Sequence, residues 1–224
     1  MRILLVEDNE LLGEGTCTGL QQYGYTVDWV KDGLAGQTAA LTQTEHFDAI
    51  ILDLGLPKKS GQEVLVSIRK HNIQTPIILL TAASDLFTKV QCLDAGANDF
   101  ITKPFKLAEL AARIRAQIRG GAGRADPKIV VGEVTLDPAA HKVFVLDQEI
   151  NFSRREFALL HKLMEQSGKV QTRDALTQTL YGWGEDVDSN TIEVYIHNLR
   201  KKLKDHLNLR TIRGVGYIVE LPKN

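Results

Sequence analysis

A chain of 224 residues and 24.9 kDa is longer than the roughly 100–200 residues of one domain, so its length favours two modest domains. Its 27 Lys and Arg against 28 Asp and Glu leave a net charge of −1, and with 25 % charged and 43 % hydrophobic residues the composition excludes a disordered, collagenous or coiled-coil chain. No apolar run approaches the roughly 18–20 residues that span a bilayer, and MRILLVEDNELL meets an acid at Glu7, too early for a signal-peptide core. Cys17 and Cys92, in no CxxC or Cys/His spacing, predict reduced thiols in a cytoplasmic protein without zinc or disulfides. The near-zero charge argues against a nucleic-acid partner only if it is also even by region.

Short apolar runs recur from the N-terminus at Ile3–Val6, Thr26–Val30, Ala49–Leu52, Ile77–Leu80 and Asp99–Thr102, with longer amphipathic stretches between them. Five continuous, non-alternating runs predict a parallel sheet covered by helices on both faces. Leu107, Leu110, Ile114 and Ile118 form the apolar stripe of a closing helix. Gly120-Gly-Ala-Gly-Arg-Ala-Asp-Pro127 then reads as a flexible linker, which divides the chain into 1–119, 120–127 and 128–224.

Beyond the linker, Lys128–Val131, Val134–Leu136, Val143–Leu146 and Ile150–Phe152 are short strand candidates. Ser153-Arg-Arg-Glu156 is a capping box that opens a helix with Phe157, Leu160, Leu163 and Met164 on one face. Thr172 starts a second helix. Ile192, Ile196, Leu199 and Leu203 give the core face of a third, over about Asp188 to Lys204. Arg213-Gly-Val-Gly216 turns a terminal hairpin. Three helices and a hairpin outline a winged helix-turn-helix, although periodicity alone does not fix it.

Glu7 and Asp8 follow the first strand and Asp53 ends the third, and the carboxyl ends of parallel strands gather along one edge of the sheet. Clustered carboxylates repel unless a hard cation neutralises them, and Mg²⁺ suits a few carboxylates with waters and phosphate oxygens. Thr81 at the end of the fourth strand and Lys103 after the fifth add a hydroxyl and an ammonium, so the set could stabilise a transferring phosphoryl group.

These residues lie in Val-Glu7-Asp8, Ile-Ile-Leu-Asp53-Leu-Gly-Leu-Pro57, Leu-Leu-Thr81-Ala and Phe100-Ile-Thr-Lys103-Pro104-Phe, which together resemble a bacterial response-regulator receiver domain, a doubly wound, flavodoxin-like five-stranded α/β fold. The resemblance implies that Asp53 is phosphorylated by a sensor histidine kinase and that Glu7, Asp8, Asp53 and the Gly55 carbonyl hold Mg²⁺. It implies that Lys103 pairs with phosphoryl oxygens, that Thr81 bonds one of them, that Phe100 fills an aromatic switch position often held by Tyr, and that Lys103–Pro104 is cis. It further implies a homodimer after phosphorylation through the fourth helix, fifth strand and fifth helix, with Lys89 to Glu109 and Asp99 to Arg113 crossing or bracing the interface. Asn98 stands where an acid is common and Gly120 near the place of its basic partner, so the dimer is expected to be weaker or differently balanced.

By region, 1–119 holds 12 basic and 14 acidic residues and 120–224 holds 15 and 14, yet His197–Arg213 carries Arg200, Lys201, Lys202, Lys204, Arg210 and Arg213 against Asp205 alone, a local +5. Such a patch on a helix and hairpin is an electrostatic footprint for phosphates. Ser189-Asn-Thr-Ile-Glu-Val-Tyr-Ile-His-Asn-Leu-Arg-Lys-Lys-Leu203 followed by Arg210-Thr-Ile-Arg213-Gly-Val-Gly216-Tyr217 resembles the winged-helix effector of the OmpR/PhoB family, most like regulators of the PmrA/QseB type. That resemblance implies phosphate contacts from Asn190, Tyr195, His197 and Arg200, with Lys201 and Lys204 as further cations. It puts Glu193, Val194 and Asn198 on bases and Arg213 in the minor groove of direct-repeat promoter DNA. Within Tyr181–Asp188, it assigns Tyr181, Trp183, Glu185 and Asp186 to a contact with RNA polymerase. The expected function is a phosphorylation-activated transcriptional regulator and not an enzyme. A phosphatase or phosphotransferase, and a receiver whose second domain binds only protein, remain open alternatives; Asp53-Leu-Gly-Leu lacks an acid two residues on that could serve as general acid.

Overall fold

In the computed structural model, which describes residues 1–42, 46–82, 86–121, 123–183 and 191–221, the apolar runs of the first half form one parallel sheet. In chain order the elements are β1 (Arg2–Val6), α1 (Glu10–Gln22), β2 (Thr26–Val30), α2 (Gly33–Leu41), β3 (Ala49–Asp53), α3 (Gly61–Lys70), β4 (Ile77–Thr81), α4 (Leu86–Asp94), β5 (Asp99–Thr102) and α5 (Leu107–Gly121). The strand order is β2-β1-β3-β4-β5, so the direction of winding reverses between β1 and β3. That reversal opens a crevice at the carboxyl ends of the two strands.

The runs are continuous because both faces are covered. Leu4, Val6, Ile50, Leu52, Ile77 and Leu79 share one buried cluster with Val64, Leu65, Ile68 and Cys92. The alternate residues Ile3, Leu5, Ile51, Ile78 and Leu80 are fully enclosed on the opposite side, where α1 meets α5. Asn9, Asp32 and Ser60 cap α1, α2 and α3 by accepting hydrogen bonds from backbone N–H groups of their first turns. Among the described residues, Arg2 and Asp28 form a buried ion pair in this unit, with Arg2 Nε 2.6 Å from Asp28 Oδ2 and both side chains at most 3 % exposed. Removing either partner would strand a charge in the interior.

The chain divides into two compact units between Gly123 and Arg124. Two parts of the expected linker are ordered otherwise: α5 continues through Gly120 and Gly121, and Arg124 pairs with Glu165 in the second unit. The second unit comprises β6 (Ile129–Val131), β7 (Val134–Asp137), β8 (Lys142–Val145), β9 (Gln148–Ile150), α6 (Arg154–Glu165), β10 (Gln171–Thr172), α7 (Arg173–Leu180), α8 (Thr191–Leu203), a 3-10 turn (Lys204–His206), β11 (Leu209–Ile212) and β12 (Gly216–Val219). A four-stranded antiparallel sheet, β6-β7-β8-β9, precedes the helices, and a small sheet, β10-β12-β11, closes the unit.

The fourth strand lies two residues earlier than Ile150–Phe152. Leu146 and Asp147 both take positive φ, 47° and 63°, and close a two-residue hairpin that pairs Val145 with Gln148. Ser153 must then leave the sheet to cap α6. β10 went unrecognised in the sequence because two residues carry no periodicity. Among the described residues no helix is long and apolar enough to cross a membrane.

The capping box of α6 is complete and reaches further than its own helix. Ser153 Oγ accepts from Glu156 N at 3.3 Å and Glu156 Oε2 accepts from Ser153 N at 2.7 Å. The same Oε2 lies 2.7 Å from Lys202 Nζ of α8. Burial raises the pKa of the Glu156 carboxyl, but the Lys202 ammonium and the Ser153 donors overcome that and hold it below its ordinary 4.5. The carboxylate therefore contributes stability above pH 4.5, and this is lost as the pH falls through the lower folded value. Glu156→Gln is expected to destabilise the second unit by about 1–3 kcal/mol at pH 7 and by progressively less below the ordinary carboxylate range, measured by denaturant unfolding at a series of pH values.

Candidate functional site

The strand ends bring the acidic residues together as their positions in the sequence required. Glu7, at 1 % exposure, and Asp53, at 6 %, flank the crevice, and Asp8 is exposed at its mouth. One carboxylate oxygen from each of the three lies within 4.8 Å of the others. Lys103 Nζ is 2.7 Å from Glu7 Oε2 and 3.1 Å from Asp53 Oδ1. Burial lowers the pKa of the Lys103 ammonium, but the hydrogen bonds from Glu7 and Asp53 more than offset it and raise the pKa above 10.5. One ammonium against three carboxylates leaves the cluster anionic. A hard, all-oxygen donor set with surplus negative charge fits a divalent cation such as Mg²⁺.

The surrounding backbone is closely fitted. Lys103 N donates to Thr81 O at 2.8 Å, which ties the residue after β5 to the end of β4, where Thr81 is buried at 2 % exposure. A Cβ on Gly61 would fall 2.0 Å from Asp53 O, so only glycine lets α3 start this close behind Asp53. Gly55 lies against the carboxylate, with a notional Cβ 3.6 Å from Asp53 Oδ2. The Lys103–Pro104 bond is cis.

On the neighbouring face, Phe100 is half-buried against the sheet, and Lys89 Nζ sits 4.7 Å from its ring centroid and 3.4 Å from Thr102 Oγ1. Lys89 therefore does not meet Glu109 within the chain. Arg113 Nη1 instead holds both Asp99 oxygens, at 3.0 and 2.9 Å, and Nη2 holds Glu109 at 2.9 Å. These carboxylates, Asp99 first, hold the Arg113 pKa above its ordinary value. The sequence patterns did not reveal the apolar side of this face, where Phe87, Val90 and Leu93 are exposed on α4. Asn98 is tied into the fold, since its Oδ1 accepts from Ile77 N and Arg69 Nη2, both at 2.9 Å.

In the second unit Ile192, Ile196, Leu199 and Leu203 of α8 are buried, as their spacing required. Val194 and His197 are exposed on the other side, Asn198 is half-buried, and Tyr195 is half-buried against the core. Arg213 is exposed in the tight turn between β11 and β12. The local +5 is smaller in space than in sequence. Lys202 turns inward to Glu156, and Arg210 Nη1 pairs with Glu220 Oε1 at 2.6 Å. The Arg200 guanidinium donates to Leu209 O at 3.1 and 3.0 Å and to Thr211 Oγ1 at 2.8 Å, bracing α8 against β11. Among the described residues, Lys201, Lys204 and Arg213 are the cations of the patch without such partners. Glu193 is held by Arg173 Nη2 at 3.0 Å.

Asn190, Glu185 and Asp186 lie outside the described residues. Tyr181, expected in a contact with RNA polymerase, is 7 % exposed and packs with the core, with the Arg155 guanidinium 4.6 Å from its ring centroid. Among the described residues of this stretch, Trp183 stands outward at 44 % exposure.

Two family profiles cover the two units. "Response regulator receiver domain" matches residues 3–115 and "Transcriptional regulatory protein, C terminal" matches residues 147–219. The response regulator protein PmrA of Pseudomonas aeruginosa is 50 % identical over 222 residues, 99 % of each chain, and the transcriptional regulatory protein QseB of Escherichia coli O157:H7 is 40 % identical over 217 residues, 97 % of this chain and 98 % of that one. Among solved structures, a Francisella response regulator receiver domain aligns with a TM-score of 0.51 at 28 % identity, over 54 % of this chain and 98 % of its own. A CheY-like receiver domain protein from Methanospirillum hungatei aligns with a TM-score of 0.50 at 28 % identity, over 53 % of this chain and 94 % of its own. With an acidic crevice in one unit, an exposed helix and wing in the other and relatives matched along nearly their whole length, the chain belongs to the OmpR/PhoB-type two-component response regulators, transcriptional regulators that join a receiver domain to a DNA-binding domain.

Proposed function

We propose that Asp53 accepts a phosphoryl group from the phosphohistidine of a sensor histidine kinase and that the resulting acyl phosphate controls dimerisation and promoter binding. The observation that carries this reading is the convergence of the Glu7, Asp8 and Asp53 carboxylates, with the Lys103 ammonium bridging Glu7 and Asp53. An Asp53 oxygen attacks phosphorus, the P–N bond breaks, and imidazole leaves as the O–P bond forms. Glu7, Asp8, Asp53 and the Gly55 carbonyl would hold Mg²⁺, which when bound supplies charge neutralisation for the phosphoryl oxygens. Lys103 shifts its contacts toward those oxygens and the Thr81 hydroxyl bonds one of them. Phosphorylation thus adds charge where a cation and a donor already wait, and Phe100 follows the movement of Thr81.

The dimer is formed by α4, β5 and α5. Exposed Phe87 and Val90 supply apolar area, and Lys89 leaves Phe100 to meet Glu109 across the interface while Arg113 keeps Asp99 in line. Joining two effectors places two α8 helices on direct-repeat half-sites about one helical turn apart, so that affinity rises through avidity without new contacts. Glu193, Val194 and Asn198 face base edges. Asn190, Tyr195, His197, Lys201 and Lys204 hold phosphates, and Arg213 enters the minor groove. Arg200 acts chiefly through the wing that it braces. Trp183, with Glu185 and Asp186, meets RNA polymerase. The functional division is a receiver over 1–119, a connection over 120–127 and an effector over 128–224, in a cytoplasmic protein.

Two measurements test this reading. Light scattering and promoter binding, each with and without beryllofluoride and for wild type and Asp53→Ala, are expected to show a dimer and tighter binding only for wild type with the mimic. Equal mass and affinity in all four samples would sink the switch. In a salt titration, Lys201→Gln, Lys204→Gln and Arg213→Gln should each reduce the slope of log K against log salt by about one. Arg200→Gln should instead lower the unfolding midpoint of the effector.

A further inference from the structure

Trp29 is not among the residues that the sequence patterns single out, yet it touches the acidic site directly. β1 ends at Val6, and the chain must then turn Glu7 and Asp8 into the crevice. Two contacts from β2 hold that turn on the backbone of Glu7: its N–H donates to Val30 O at 3.1 Å, and its carbonyl accepts from Trp29 Nε1 at 2.8 Å. The first continues the parallel ladder of β1 and β2. The second is a side-chain bond from the indole, a long flat ring with a donor at its edge.

The ring has a seat made for it. Gly13 of α1 lies beneath the indole, and a Cβ there would stand 2.2 Å from Trp29 Cζ2, 2.4 Å from Cε2 and 2.8 Å from Nε1. Any other residue at position 13 would push the indole off, and its N–H with it. On the outer side, Lys31 Nζ is 5.0 Å from the ring centroid and 2.8 Å from Glu10 Oε1. The indole thus lies in a slot between α1 and an ion pair, with its donor aimed at the residue that carries the first buried carboxylate. Outer contacts of this kind fix the orientation of metal ligands, and their loss typically costs about 10–100-fold in affinity.

We infer that Trp29 is a positioning residue of the divalent-cation site: seated on Gly13, its indole N–H holds the Glu7 carbonyl and so fixes the Glu7–Asp8 turn that presents two of the three carboxylates. The inference rests on the proposed Mg²⁺ reading of the cluster. Without the indole bond the Glu7 carbonyl turns to water, the turn gains freedom, and binding a cation must then order it.

Calorimetric titration of the full-length protein with MgCl₂ alone tests this. Trp29→Phe, which keeps an aromatic ring and loses the donor, is expected to weaken Mg²⁺ binding about tenfold. Gly13→Ala, which changes no carboxylate of the cluster, is expected to weaken it similarly by unseating the ring. The double variant should be no weaker than Trp29→Phe, because both changes remove the same bond. Asp8→Asn serves as the control on the site. If it weakens binding while Trp29→Phe binds as wild type, the inference is overturned and the Mg²⁺ reading stands. If Asp8→Asn itself binds as wild type, both fall. Losses that multiply in the double variant would also overturn the inference, since Gly13 would then act by a route other than the indole. Should Trp29→Phe lower the unfolding midpoint, 3-benzothienylalanine at position 29, which keeps the outline of the ring and lacks the N–H, is expected to give the same tenfold loss.

Discussion

Three carboxylates gathered at the carboxyl edge of the parallel sheet, two of them bridged by one ammonium, set the terms for the first unit. Glu7 and Asp53 are almost fully buried, with oxygens within 4.8 Å of each other, a separation at which two charges repel by about 3 kcal/mol at an effective dielectric near 20. Lys103 bridges both and offsets part of this repulsion, while the buried strands β1 and β3 hold the two residues in place. The cluster stays anionic and pre-organised, which is what a divalent cation requires of a binding site. The crevice is therefore a place where the fold stores unfavourable charge for a ligand to neutralise.

The second unit treats its charges in the opposite way. Of the six cations in its basic stretch, Arg200, Lys202 and Arg210 are spent on the structure, one on a strand carbonyl, one on a capping carboxylate and one on a wing carboxylate. These contacts tie α8 to α6 and to the wing, so the helix presents its outer face at a fixed angle. Among the described residues, Lys201, Lys204 and Arg213 have no such partner. Fewer free cations imply weaker sequence-independent attraction to DNA, in keeping with a proposed regulator whose occupancy depends on pairing two effectors rather than on the affinity of one.

Much of this was legible in the sequence. The five apolar runs, the acids at their ends and the capping box at Ser153 each rest on a local rule that the structure obeys: strands covered on both faces are apolar throughout, parallel strands end on one edge, and a Ser three residues before a Glu closes a helix N-terminus. Less was legible wherever a residue's role depends on what lies across the fold. Lys202 and Lys201 are neighbours of the same type, yet only the first meets Glu156. Tyr181 reads as an exposed loop aromatic and is core, and Trp29 reads as an ordinary strand residue and reaches the acidic turn.

The sequence by itself determined the two-part organisation, the parallel sheet and the acidic cluster at its carboxyl edge, because these follow from hydrophobic period and from chain direction, which are local properties. Only the tertiary structure decided which side chains remain free to act. Long, flexible cations and large aromatic rings choose their partners by proximity in space, and that proximity is set by packing among segments far apart in the chain. The net charge of −1 shows the difference: as a sum it says almost nothing, and its meaning comes from where three carboxylates are held together and which cations are already taken.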